Sequence, residues 1–164
     1  MKKEKIKAQD LITVGIFTAI QFVVCMAVAM LGYIPIFIPL LAVLVPLIGG
    51  IPFMLFLTKT KKFGMVTIMS VLIGLITCLM GMGVWVILTA PVFGILADLI
   101  FRSGGYASVK KSILGYGVFS MWVIGNYIPI VVTRDAYFQM LATGGYGEEY
   151  AQTLMHYIPD WSLL

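Results

Sequence analysis

No charged residue lies between Asp10 and Lys59. A helix crosses a hydrocarbon core of about 30 Å in about 20 apolar residues, so this stretch holds two crossings. A backbone in lipid must satisfy its own N–H and C=O groups, and a run that is apolar on every face does so as an α-helix. The rest of the chain repeats the pattern, with long apolar runs separated by short basic clusters. Lys2, Lys3, Lys5 and Lys7 form the first cluster, Lys59, Lys61 and Lys62 the second, and Arg102, Lys110 and Lys111 the third. Only Arg134 lies elsewhere, in a segment it shares with Asp135, Glu148, Glu149 and Asp160. Lys and Arg are retained on the cytoplasmic side during insertion. If the apolar runs cross in pairs, all three clusters face the cytoplasm.

Composition agrees. The chain is 61% hydrophobic and 11% charged, against about 45–50% and about 25% in soluble domains. A soluble core of this size needs a polar shell that the sequence does not supply. The expected fold class is an all-α integral membrane protein, a compact bundle of five helices in one domain, 1–164. The net charge of +4 is a topology signal. A nucleic-acid partner would need its basic residues on one exposed face, and none is expected.

The expected helices span about 11–31, 34–58, 63–80, 84–101 and 112–132. Asp10 is a plausible N-cap for the first. That stretch is too long for a signal-peptide core of about 7–15 residues, so it reads as a retained helix despite Ala27-Val28-Ala29. The second carries Pro35, Pro39, Pro46 and Pro52 with Gly49-Gly50. Proline removes a backbone donor and clashes with the preceding turn, which predicts a kinked or broken segment covered by its neighbours. A kink is expected at Pro91 in the fourth. Alternating crossings put 133–160 outside, as an extracellular segment with short surface helices from Arg134 to Leu141 and from Glu148 to Tyr157, broken at Gly144-Gly145. Residues 158–164 read as the entry to a truncated sixth helix.

No catalytic set emerges. The chain lacks G-x-x-x-x-G-K-[ST], H-E-x-x-H and G-x-S-x-G, and its single histidine, His156, reads as an interface residue beside Tyr157. Cys25 and Cys78 lack metal-site spacing and read as small buried hydrophobes. No enzyme activity, cofactor or metal is expected. Small residues do form stripes. Gly15 and Ala19 lie one turn apart on the first helix, and Ala90 and Gly94 on the fourth, with Asp98 on the same face. Such stripes let helices approach closely, either within the bundle or against another membrane subunit. Asp98 either pairs with Arg102 at i+4 or meets a partner.

The outer half is richer in polar and aromatic groups. Gln21, Tyr33, Trp85, Trp122, Asn126, Tyr127, Arg134, Asp135 and Tyr137 could line an outward-facing pocket with aromatic walls and a few polar groups, the usual make-up of a small-molecule site. The Trp and Tyr residues read equally as anchors at the membrane interface. Asn126 is different, because a buried amide needs a partner.

The stretches Asp10-Leu-Ile-Thr-Val-Gly-Ile-Phe-Thr-Ala19, Ile34-Pro-Ile-Phe-Ile-Pro39, Pro46–Lys59, Gly94-Ile-Leu-Ala-Asp98, Lys111–Ser120, Arg134-Asp-Ala-Tyr-Phe138 and Tyr146-Gly-Glu-Glu-Tyr-Ala151 carry a resemblance. In this order and spacing the chain resembles the substrate-binding (S) component of an energy-coupling factor transporter, of the MptD-like or Trep_Strep family. The resemblance implies a six-helix membrane protein that takes a vitamin-like small molecule from outside. It also implies association with a transmembrane coupling subunit and two cytoplasmic ATPases, in which ATP chemistry resides. Gly15 and Ala19 resemble the family's alanine-rich docking stripe, with Gly15 in place of alanine. Aromatic walls would suit a flat heterocycle, and Arg134 a carboxylate or phosphate. The alternatives are a self-sufficient small secondary transporter and a membrane structural or assembly protein. The first would need ionisable groups at midplane, where this chain offers only Gln21 and Asn126.

Overall fold

The computed structural model describes residues 6–81, 84–144 and 146–158. Among them every regular element is helical: α1 (Ala8–Ala29), a 3-10 turn (Met30–Tyr33), α2 (Phe37–Lys59), α3 (Met65–Leu79), α4 (Trp85–Ser103), α5 (Val109–Ser120), a 3-10 segment (Met121–Asn126), α6 (Ile128–Val132), α7 (Arg134–Thr143) and α8 (Glu148–Tyr157). This is an all-helical integral membrane protein. Three helices, α1 with its 3-10 turn, α2 and α4, are long and apolar enough to cross a bilayer, and α3 is a shorter apolar helix. The expected start of a sixth helix at 158–164 lies outside the described residues beyond Ile158, as do Met82 and Gly83 between the expected third and fourth helices.

Three local differences from the sequence reading have physical causes. Asp10 is the third helical residue of α1, and Ala8 begins the helix. Its carboxylate accepts from the Lys7 amide at 2.7 Å and from Lys62 Nζ at 2.7 Å, so it works from inside the first turn. The second segment is not broken: α2 runs from Phe37 to Lys59 through Pro46 and Pro52. Pro39 falls in its first turn, where an N–H has no intrahelical acceptor anyway. The fifth segment, in contrast, is not one α-helix. It tightens to 3-10 winding at Met121 and restarts at Ile128. Pro129 has no N–H for the carbonyl of Gly125 and its ring crowds that turn. Gly125 also sits hard against α4, where a Cβ would lie 2.3 Å from Thr89 Oγ1.

α4 is the centre of the bundle, packed by α3 on one side and by α5 with the 3-10 segment on another, while α1 rests on α2 and α3. Small residues set these distances. A Cβ on Gly74 of α3 would meet the Ala90 Cβ at 3.0 Å, and one on Gly94 would meet Ser70 Oγ at 1.8 Å. The Ala90–Gly94 stripe is therefore used inside the bundle. A Cβ on Gly115 would lie 2.4 Å from the Phe101 ring. The interior beside it is aromatic, with Phe53 centred 4.4 Å from Phe119, 4.8 Å from Tyr116 and 6.0 Å from Phe101. A second small core, of Ile130, Phe138, Leu141, Ala151 and Leu154, holds α7 and α8 as a hairpin against α6.

Gly15 is the opposite case: it is exposed on α1 and no atom lies within 4 Å of the position its Cβ would take. Gly94→Ala is expected to destabilise the bundle by about 1–3 kcal/mol through overpacking. Gly15→Ala is expected to be neutral or to stabilise by about 0.5–1 kcal/mol through backbone entropy. Unfolding in detergent, followed by circular dichroism, compares the two directly.

Candidate functional site

Chain alternation puts the basic clusters at one end of the bundle and the hairpin, with the α1–α2 link, at the other. Tyrosines join the hairpin to that link. The Tyr150 hydroxyl donates to the Gly32 carbonyl, and Tyr127 donates to Ile38 O at 2.9 Å. Tyr33, 67% exposed, stacks on Tyr146 with centroids 5.6 Å apart, and Tyr146 lies 5.0 Å from Tyr150. Tyr137 is half-buried and meets Phe138 edge-on at 5.7 Å. Burial, with Tyr137 and Tyr146 nearby, pushes the Tyr150 hydroxyl up to about 12, and burial raises Tyr137 in the same direction. Both phenols therefore stay protonated, and Tyr150 stays a donor, across the neutral range.

Arg134 faces inward on this hairpin. Its Nη2 donates to Ile158 O at 2.5 Å and its guanidinium lies over the Phe138 ring at 4.9 Å. That engagement counts against Arg134 as the receptor for a ligand carboxylate or phosphate. Asp135 is exposed beside it.

Deeper in the bundle, Gln21 is 2% exposed. Its Nε2 reaches Cys25 Sγ at 3.5 Å, and its Oε1 has no hydrogen-bond partner among the described residues. α2 meets this amide with Gly49, where a Cβ would sit 2.6 Å from Nε2. Tyr116 arrives from α5 at the same point and donates to the Pro46 carbonyl. Three helices thus meet around one amide. Asn126 Oδ1 is a second buried acceptor without a partner among the described residues. A buried acceptor left unpaired costs about 1–3 kcal/mol, which makes these two amides the places where a bound donor would gain most. Trp122 is buried, its carbonyl accepting from Thr89 Oγ1 at 3.2 Å, whereas Trp85 is 38% exposed at the start of α4.

The nine expected pocket residues therefore do not form one lining. Tyr33, Tyr127, Tyr137, Arg134 and Asp135 belong to the hairpin and its seam. Gln21 and Trp122 are packed inside the bundle, Asn126 is half-buried with its Oδ1 enclosed, and Trp85 is on the surface. One concavity of about 380 Å³ lies on the hairpin, and another of about 210 Å³ lies on the flank between α2 and α5. Neither is lined by Gln21, Trp122 or Asn126. Sequence reasoning missed Gly49, Cys25 and Tyr116 as the surroundings of Gln21. A glycine pair inside an apolar helix is the signal that marked this close approach.

Residues 8–164 match a family described as a hypothetical bacterial integral membrane protein (Trep_Strep). The chain belongs to the Trep_Strep family. No curated protein matches it, and no solved structure does.

The remaining expected contact residue of this Trep_Strep chain, Asp98, is corrected by its surroundings. It is 0% exposed. One carboxylate oxygen accepts from the Gly64 amide at 2.7 Å, the Thr67 amide at 3.2 Å and the Thr67 hydroxyl at 3.0 Å. The other accepts from Tyr106 at 3.2 Å. Asp98 thus caps the first turn of α3 from α4, a role that its position near the inner end of an apolar run did not reveal. It neither pairs with Arg102, which lies over the Phe63 ring at 5.3 Å, nor faces outward to a partner. The bonds to Gly64 and Thr67 satisfy orphan amides of a helix start, and the negative charge suits that terminus. Gly15 and Ala19, in contrast, are exposed.

Asp98→Leu leaves two backbone amides and two hydroxyls without their acceptor. It is expected to cost about 3 kcal/mol or more, with Asp98→Asn in between because it keeps one acceptor. Tyr150→Phe is expected to leave the bundle's midpoint within about 1.5 kcal/mol of wild type while speeding amide exchange in α7 and α8. Thermal unfolding and hydrogen exchange by mass spectrometry separate the two effects.

Proposed function

We propose that this chain is the substrate-binding subunit of an energy-coupling factor transporter that takes up a small vitamin-like molecule. Its partners are a transmembrane coupling subunit and two cytoplasmic ATPases. The lysine end faces the cytoplasm, following the retention of Lys and Arg on that side, and the tyrosine-rich hairpin faces outward. ATP chemistry belongs to the partners, since this sequence has no phosphate-binding loop.

The observation that carries the reading is the contrast between the two small-residue stripes. Ala90 and Gly94 are consumed by α3. Gly15 and Ala19 are exposed on α1, with open space at the Gly15 Cβ position. A bundle gains nothing from small residues facing lipid, whereas an incoming helix needs them for close approach. The resemblance of this stretch to a docking stripe points the same way. The unpaired amide acceptors of Gln21 and Asn126 and the tyrosine seam are the groups that a ligand entering from the hairpin end would meet.

Co-purification with the coupling subunit and both ATPases tests the reading. Wild type should form the four-subunit complex. Gly15→Leu and Ala19→Leu should fold and insert as wild type does, because both positions are exposed on α1, yet lose the complex. A wild-type chain that never binds the module, or bulky variants that bind as well as wild type, would sink the proposal.

A further inference from the structure

α7 and α8 lie antiparallel, since Arg134 at the start of α7 bonds the carbonyl of Ile158 just past the end of α8. A groove of about 380 Å³ runs between them. Its floor is apolar, with Phe138 and Ala151 both buried. Gln139 and Gln152 stand along its rims, one from each helix. Asp135 comes from the start of α7 and Glu148 from the start of α8, so an antiparallel pair places these carboxylates towards opposite ends of the groove. About two helical turns, or roughly 10 Å, separate them. Among the described residues no lysine or arginine lines the groove. The basic side chain nearest in sequence, Arg134, is turned to the Ile158 carbonyl and the Phe138 ring.

We propose that this groove binds a linear aliphatic polyamine. A terminal ammonium would meet Asp135 at one end and another would meet Glu148 at the other. The methylene chain would lie along Phe138 and Ala151, as the stems of long cationic side chains lie on apolar surface. The Gln139 and Gln152 carbonyls offer acceptors to N–H groups between the ends. The spacing matters: a monoamine reaches one carboxylate only, and a divalent metal ion is too small to bridge both. The site is separate from the transport reading, because it lies on the hairpin and needs no coupling subunit.

Calorimetry on the full chain in nanodiscs of zwitterionic phosphatidylcholine tests it, with spermidine as the probe and empty nanodiscs as the blank. Spermidine should bind saturably, one per chain, and about tenfold or more tighter than butylamine or Mg²⁺ (a tenfold ratio is about 1.4 kcal/mol). Asp135 and Glu148 are exposed, so Asp135→Asn and Glu148→Gln leave the fold in place. Each should weaken binding several-fold, and the pair should abolish it. Glu149→Gln removes a neighbouring charge that does not line the groove and should leave binding unchanged. Failure of spermidine to saturate, equal affinity for butylamine or Mg²⁺, or an equal loss in Glu149→Gln would each overturn the proposal. The last two would reduce the effect to surface charge alone.

Discussion

The Asp98 carboxylate holds the arrangement from which the rest of the bundle is hung. It sits where the start of α3, the last turns of α4 and the 104–108 loop come together. Without internal donors a buried carboxylate would be far too costly in this setting. With donors it fixes the start of α3 against α4. Once that end is set, the small residues above it, Gly94 against Ser70 and Ala90 against Gly74, draw the two helices together along their length. α4 then offers its other sides to Gly115, through Phe101, and to Gly125. Tyr106 completes the carboxylate's shell from a left-handed backbone, φ 56°, a conformation unusual for a residue with a side chain and offset here by the hydrogen bond it makes.

The two ends of the molecule are fastened by different chemistry. At the lysine end the acceptors are carboxylates: Lys62 donates to Asp10 at 2.7 Å, and the Gly64 amide with the Thr67 amide and hydroxyl donates to Asp98. At the hairpin end the bonds to the α1–α2 link and α2 are neutral, single phenol-to-carbonyl bonds from Tyr150 and Tyr127 with stacked rings beside them, while the charged Arg134 is spent within the hairpin on the Ile158 carbonyl. Charge-assisted bonds are about twice as strong as neutral ones, and a protein opens first where its ties are fewest and weakest. The hairpin end is therefore the one expected to open first.

Much of the fold was legible because the bilayer simplifies the problem. Apolar length and the spacing of Lys and Arg determine where helices run, and the turn residues around Thr133 and Gly144 mark the hairpin. What failed to show was local competition. The prolines of α2 suggested a kink or a break, but the helix runs on through Pro46 and Pro52, and the break in helical winding came at Pro129 instead, where Gly125 must press against α4. The site was less legible. Asp98 looked like a surface charge beside Arg102 because sequence spacing shows i+4 partners and hides donors from a helix 31 to 34 residues away. Trp122 and Gln21 share a polar or aromatic character with Tyr33, but only packing decides that the first two face the core and the third faces out.

Gln21 shows where this leaves the inner site. Its amide is pressed between Cys25 and the glycine of a neighbouring helix, with one acceptor unpaired. A water or ligand group with two or more polar partners would satisfy it, and the Tyr116 hydroxyl reaches the same Gly49 position from another helix. Yet Tyr116 already donates to Pro46, so its single proton is spent on α2. A donor for Gln21 can arrive only if α5 gives up that bond or if something else enters between α1 and α2. Either route works against the packing at Gly49, where a Cβ would lie 2.6 Å from the Gln21 amide and 3.5 Å from the Tyr116 hydroxyl. Access to this amide and the spacing of α1, α2 and α5 are therefore one variable.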